Sequence, residues 1–254
     1  MDSSLPDTLP QIQRLRHELR WRNLTLAATE RLTPSMIRLT FTGADLQGFV
    51  SAGADDHIKI TVPGADGTET RRDYTPRRYD AARGELVLDV VDHAGGLAAD
   101  WARAARVGDG LTIGGPRGSA VIGGDIAQWL LIGDETALPA IGRRIEELPA
   151  GVPVTSLVAV PSVADEQVLT TAARHEALWL HRPLAEAARP EPFLAALDGL
   201  EIPERTFVWV AAEAGVARAL RAALIARGVP KAWIKASGYW VEGQADASVK
   251  AMED

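Results

Sequence analysis

Arg72 and Tyr74 stand two residues apart in the run Arg72-Asp73-Tyr74-Thr75-Pro76-Arg77. In an extended strand, residues at i and i+2 project to one face. The guanidinium can then pair with a pyrophosphate while the phenol ring lies flat against a conjugated ring system. Thr75 faces the other way and can offer its hydroxyl to a ring nitrogen, such as a flavin carries at its edge. The same six residues also fit an arginine-rich surface turn. A second candidate is His93-Ala94-Gly95-Gly96. Two glycines let the backbone approach a phosphate, and a helix that starts there aims free amides at the anion; an ordinary loop into a helix is the alternative.

A third candidate, Gly133-Asp134-Glu135-Thr136, leaves one apolar strand and enters a helix. In a dinucleotide domain the cofactor phosphates or the nicotinamide approach at that point. No G-x-G-x-x-G is present there. Asp134 and Glu135 repel phosphate, so the Thr136 hydroxyl and nearby amides are the expected contacts, and Asp134 serves equally as a helix cap. Taken alone, Lys59 is a solvated strand lysine, and the seven tryptophans are core residues before they are cofactor contacts.

Composition narrows the chemistry. Cysteine is absent, which excludes disulfides, thiolate zinc, iron–sulfur clusters and a cysteine nucleophile. Electron chemistry then requires an organic cofactor or a non-thiolate metal. His57, His93, His175 and His181 are not spaced as metal ligands and no carboxylate is matched to them, so no bound metal is expected. A G-x-S-x-G nucleophile elbow is missing as well. The net charge of −7, with arginines scattered along the chain, argues against nucleic acid as a partner. No run approaches the roughly 18 apolar residues of a membrane span, and the N-terminus does not resemble a signal peptide. The expectation is a cytoplasmic protein without membrane insertion.

These residues need elements to position them. The 254 residues suffice for one large domain or two ordinary ones. Ile37, Leu39 and Phe41, then Ile58, Ile60 and Val62, then Leu86, Leu88 and Val90 alternate with their neighbours, and turn clusters such as Pro63-Gly64-Ala65-Asp66-Gly67 separate them. Period-two runs of this kind predict half-buried antiparallel strands and, at this spacing, a small barrel. Beyond Trp129 the pattern changes to short continuous apolar runs at 129–132, 154–160, 177–180 and 207–211, which suit parallel strands buried on both faces. Helices are expected over 140–148, 164–173, 191–197 and 214–227, the last stopping at Gly228. The division is an arm or short helix over 1–21, a barrel over 22–123, an α/β nucleotide-binding domain over 124–243 and a frayed tail over 244–254.

Arg-x-Tyr-Thr after a barrel strand resembles the FAD signature of the ferredoxin-reductase superfamily. The longer run from Arg72 to Arg77 resembles the siderophore-interacting proteins, a family of NAD(P)H-dependent ferric-siderophore reductases. Further matches keep their order through residues 22–243: Asp56-His57-Ile58-Lys59-Ile60, Asp89-Val90-Val91-Asp92-His93, Gly95-Gly96, Trp101, Gly115-Pro116-Arg117-Gly118, the run from Gly133 to Ile141, and Gly238-Tyr239-Trp240 with Gly243. The resemblance implies an antiparallel FAD-binding barrel followed by a parallel-sheet domain for NADPH or NADH. It places the cofactor against Arg72, Tyr74, Thr75, Asp89, Val90, Val91, His93, Gly95, Gly96, Ala98, Trp101, Thr136 and Trp240.

By the same resemblance Lys59, Lys235 and Arg117 hold an anionic ferric siderophore or other ferric chelate, with Lys59 and Lys235 close together at the flavin. Arg218 and Arg221 are candidates for a 2′-phosphate. One departure stands out: Leu97 and Ala99 occupy positions where the family pattern carries a proline and a hydroxyl residue. Losing that hydroxyl removes one hydrogen bond, about 0.5–1.5 kcal/mol, and weakens FAD retention. No acid–base residue is required, since a flavin reconciles a two-electron hydride donor with one-electron iron(III). A general flavin or quinone reductase, a non-catalytic FAD- or siderophore-binding protein, and a flavin-free α/β transferase are the rival readings, and a monomer is expected.

Overall fold

A computed structural model describes residues 9–64, 67–244, 247–249 and 252. Residues 1–8, Ala65 and Asp66 of the predicted turn, and 245, 246, 250, 251, 253 and 254 of the predicted tail lie outside the described residues. A two-stranded antiparallel ribbon is formed by β1 (Gln11–Arg16) and β9 (Gly118–Gly123). Residues 11–16 are thus a strand rather than a helix, because each pairs with a residue of β9.

Seven further strands make one antiparallel sheet: β2 (Trp21–Thr33), β3 (Met36–Thr42), β4 (Ile58–Pro63), β5 (Glu69–Tyr74), β6 (Arg78–Asp80), β7 (Glu85–Val91) and β8 (Gly110–Gly114). Their order is β5-β4-β8-β2-β3-β7-β6. The sheet curls until β5 approaches β7, which gives the barrel-like domain expected from the alternating pattern. Its interior holds Leu24, Leu39, Phe41, Ile58, Ile60 and Leu88 among others. Helix α1 (Leu97–Ala104) plugs one end against β3, β4 and β7. The strict alternation expected for β7 is not found, because Asp89 on its other face is also buried, held by Arg38 and Arg77.

The second sheet is parallel, in the order β12-β11-β10-β13-β14. It comprises β10 (Gln128–Asp134), β11 (Pro153–Val160), β12 (Arg174–His181), β13 (Thr206–Glu213) and β14 (Ile234–Trp240). Helix α2 (Leu138–Glu147) covers one face together with Met36 of β3 and Ile122 of β9. Helices α3 (Glu191–Asp198) and α4 (Ala214–Ala226) cover the other. The chain moves outward from β10 to β12, then returns to β13, so the switch in direction lies between β10 and β13. Crevices for ligands open at the carboxyl ends of strands beside such a switch. The helix expected over 164–173 is absent: a single 3-10 turn spans Val163–Asp165, and Asp165 turns inward to accept from the Ser35 amide (2.9 Å) and hydroxyl (2.6 Å). Described residues of the tail are also pinned, with Gly238 and Val249 exchanging two 2.8 Å backbone bonds.

Arg77 joins the two sheets. Its guanidinium donates to both oxygens of Glu146 on α2 at 2.7 and 2.6 Å and lies 3.5 Å from Asp89. Arg143 of α2 answers by donating to the Ser51 hydroxyl and carbonyl and to the Pro76 carbonyl. Removing one member of a buried pair leaves the other charge uncompensated, which costs about 3 kcal/mol or more. Arg77→Ala is therefore expected to lower the unfolding free energy by about 3 kcal/mol in urea titrations. Arg77→Met, which refills the space, is expected to lose distinctly less. Equal losses for the two variants would show that packing rather than charge makes this joint.

Candidate functional site

Strand β5 is an edge strand whose cross-strand partners reveal where its side chains go. Arg72 pairs with Ile60 and Tyr74 with Ile58, and directly opposed residues share a face. Arg72 and Tyr74 therefore lie on the core side of the sheet, at its open edge, as their two-residue spacing requires. Burial pushes the Tyr74 phenol up to about 12, with the neighbouring Arg72 cation pulling the other way. Tyr74 packs on the same core as Leu97 and Trp101 of α1. The strand thus brings the candidate ring-and-phosphate pair to the end of the barrel where α1 begins.

The loop into α1 is held firmly. Asp92 accepts from Arg31 at 2.8 Å and also pairs with Arg103. Gly95 has φ +77° with nothing near its missing β-carbon, a backbone conformation that suits glycine and leaves the loop open. No described side chain caps α1, so its first amides remain available to an anion. His93 is exposed, with Nδ1 3.2 Å from the Ala94 carbonyl, and its ring packs over Gly96. Ala98 and Ala99 are buried, Leu97 packs on the barrel core, and Trp101 stacks on Phe41 with centroids 6.4 Å apart. The departures at Leu97 and Ala99 therefore lie on the packed side of the helix. Val90 is fully buried and Val91 packs toward α2, so these two shape the loop's approach from within the core.

Tyr239 projects from β14 toward the barrel. Its phenol lies near Thr75, and burial together with the charges of Asp55, Asp134 and Asp56 holds it well above the usual range. Lys235 of β14 pairs with Asp55 of the barrel, and Lys59 of β4 pairs with Asp73 at 3.1 Å, so the two lysines are held by different carboxylates. Trp209 also donates to Asp55, at 3.3 Å. Lys59 opposes Asp73 in register, and so lies on the face of the sheet away from Arg72 and Tyr74. Arg117 is exposed on the loop before β9, and Arg218 and Arg221 stand on α4.

At the carboxyl edge of the parallel sheet a buried hydrogen-bond network takes the place of the expected helix cap. Asp134 does not cap α2. Its carboxylate is fully buried and accepts from the Thr136 amide (2.9 Å) and hydroxyl, the Glu213 amide (3.2 Å) and Trp240 Nε1 (2.9 Å). The Thr136 hydroxyl and the Trp240 indole are thereby committed to the protein, and their outer surfaces are what remain for a ligand. Glu213, which the sequence reading passed over, caps α4 by accepting from the Gly215 and Val216 amides. Its place directly before Ala214-Gly215 is the signal that was available. Among the described residues no group of histidine or acidic side chains could hold a metal, although His181 does meet a carboxylate, Glu166, at 2.8 Å.

Glu135 forms a buried pair with Arg182 at 2.8 Å. Burial first, and the Asp134 charge second, push its carboxyl up to about 7 against the pull of Arg182. An unfolded glutamate titrates near 4.5, so between about 4.5 and 7 the folded protein holds the extra proton and stability falls as pH rises. Melting temperatures across that window are expected to fall with pH in the parent and to flatten in Glu135→Gln. Parallel slopes in the two proteins would refute the assignment.

A curled antiparallel sheet bearing Arg-x-Tyr-Thr at its edge, followed by a five-stranded parallel sheet, defines a two-domain FAD-dependent oxidoreductase. The residues present fit FAD: an open glycine loop at an uncapped helix start, a guanidinium, and a tyrosine ring on one face. Residues 25–71 and 63–120 match the model of the siderophore-interacting FAD-binding domain, and residues 126–243 match that of the siderophore-interacting protein. The chain belongs to the siderophore-interacting protein family. It is 35% identical over 251 residues to the NADPH-dependent ferric-chelate reductase of Escherichia coli (strain K12), covering 90% of this chain and 96% of that protein. Ferric vibriobactin reductase ViuB of Vibrio cholerae serotype O1 is 28% identical over 204 residues, with 72% and 74% covered. The crystal structure of a siderophore utilization protein from T. fusca superimposes with a TM-score of 0.86 at 34% identity, covering 94% of this chain and 98% of that one.

Proposed function

We propose that this protein is an NAD(P)H-dependent ferric-siderophore reductase that uses FAD to release iron(II) from a ferric chelate. The observation that carries the reading is the placement of Arg72 and Tyr74 on one face at the open barrel edge, beside the uncapped start of α1. FAD, when bound, takes two electrons from a nicotinamide and gives them up singly, which suits iron(III) as acceptor. Iron(II) is held far less tightly than iron(III) by hard oxygen donors, so a single electron frees the metal.

The chain's own residues orient and exclude rather than transfer protons. Arg72 and the α1 amides bind the pyrophosphate. Tyr74 supports one face of the ring system. Thr75 presents its hydroxyl at the ring edge, and the Trp209–Asp55 hydrogen bond helps close the seam between barrel and parallel sheet. Arg77 and Arg143 keep that seam rigid, which is the positioning that electron transfer between bound partners needs. Thr136 and Trp240 border the approach of the nicotinamide at the switch point.

The protein is acidic overall, so attraction of an anionic chelate must come from a local field. Lys59 and Lys235 supply it; Lys59 pairs with Asp73 and Lys235 with Asp55. The relative from Escherichia coli, an NADPH-dependent ferric-chelate reductase, supports the same reading.

The test is iron(II) formation from a ferric chelate with NADPH, followed with a colour-forming iron(II) ligand. Lys59→Ala is expected to raise KM for the chelate about fivefold, the loss of about 1 kcal/mol of charge attraction, with FAD content unchanged. Loss of FAD from that variant would move Lys59 out of the chelate site, and no iron(II) from the parent protein would end the reductase reading.

A further inference from the structure

The outer face of the barrel sheet carries an aromatic residue with no place in the machinery above. Along that face the register sets Asp73 beside Lys59, Lys59 beside Gly114, and Gly114 beside Trp21. The next row on the same face is Arg71, Thr61, Thr112 and Asn23, a solvated set in which Thr112 donates to Asn23 at 2.9 Å. A tryptophan is out of character there, and Trp21 is 44% exposed.

Its ring is nonetheless held in place from both sides. Gly114 has no side chain, and a β-carbon there would sit 2.7 Å from the indole, so the indole lies against the strand where any other residue would lift it. On the ring itself Arg71 sets its guanidinium 4.5 Å from the centroid. No ion pair joins Arg71 to a carboxylate among the described residues. The result is a two-layer shelf, indole below and guanidinium above, reaching across strand β8 toward Lys59.

A guanidinium plane stacked on an indole keeps its outer plane for another flat ring, and its charge favours one that carries negative charge. Lys59, one strand away on the same face and paired with Asp73 at 3.1 Å, borders the shelf, so the guanidinium of Arg71 is the charge the ring itself meets. That combination suits an aryl ligand whose ring bears anionic oxygens, and offers a non-aromatic anion only the charge.

We propose that Trp21 and Arg71 form a docking shelf for the aromatic arm of an aryl-type ferric chelate, a catecholate or phenolate, so that this face selects among the chelates that Lys59 attracts. The proposal rests on the reductase reading above and names its substrate class. The shelf binds and positions; the electron passes elsewhere.

The experiment compares two ferric substrates, iron(III) tris(catecholate) and iron(III) citrate, in the parent protein, Trp21→Leu and Arg71→Lys. Leucine still covers Gly114, and lysine keeps the charge but removes the stacking plane. Each variant is expected to raise KM for the catecholate about tenfold while KM for citrate moves by less than about twofold, a difference of about 1.4 kcal/mol seen by one ligand only. Flavin content and bleaching by NADPH are expected to be unchanged, which shows that the variants are folded. Equal changes for both chelates, or none for either, overturn the shelf.

The redox-inert gallium(III) tris(catecholate), titrated by calorimetry into the oxidised protein, separates this claim from the one beneath it. If the parent reduces neither iron chelate, the reductase reading falls while the gallium titration still decides the shelf. A Kd weakened about tenfold in Trp21→Leu supports it; an equal Kd in parent and variant overturns it.

Discussion

A single buried guanidinium sets the geometry on which everything else depends. Arg77 follows Tyr74 and Thr75 by a few residues and is clamped between Asp89 of the barrel and Glu146 of α2. Because the chain from Tyr74 to Arg77 is so short, fixing Arg77 also fixes where Tyr74 and Thr75 leave the barrel edge. The ring-binding edge of the barrel cannot then drift relative to the switch point of the parallel sheet. Arg143 repeats the joint a turn away through Ser51 and Pro76. Planar, bidentate and permanently charged, arginine is the side chain that can make such a joint with directional bonds on several sides.

The nucleotide end of the molecule shows a different economy of charge. Asp134, Glu135 and Glu213 crowd the carboxyl edge of the parallel sheet, where a dinucleotide's phosphates would be repelled if the carboxylates were free. Each is spent internally: Asp134 on two backbone amides, a threonine and an indole, Glu213 on the start of α4, Glu135 on Arg182. This accounts for a nucleotide-type domain without a glycine-rich fingerprint. Its floor is closed by the protein's own hydrogen bonds, and in the function we propose a nicotinamide partner meets the outer surfaces of Thr136 and Trp240.

Much of this was legible from residue order. Ile58, Ile60 and Val62 alternate because one face of their strand is buried, and the apolar runs around Leu131, Val158 and Val210 are continuous because both faces are. Arg72 and Tyr74 declared their common face through spacing alone. What was hidden are partnerships between distant positions. Asp134 reads as a helix cap until its bonds to the Glu213 amide and to Trp240 are seen. Residues 164–173 carry helix-compatible types, yet Asp165 is drawn away to Ser35, more than a hundred residues earlier, and the helix does not form. Gln11–Arg16 becomes a strand only because β9 offers an edge. Local propensity cannot anticipate any of these, since each is decided by a tertiary partner.

The central claim is that the barrel edge at Arg72 and Tyr74, facing the switch point across a locked seam, seats a flavin within reach of a nicotinamide. The most direct measurement is the visible spectrum of the purified protein, reconstituted with FAD and then given NADPH without oxygen. A bound flavin band that bleaches on addition of NADPH is the predicted result. A protein that stays colourless after reconstitution, or a bound flavin that keeps its colour under both NADPH and NADH, would contradict the account.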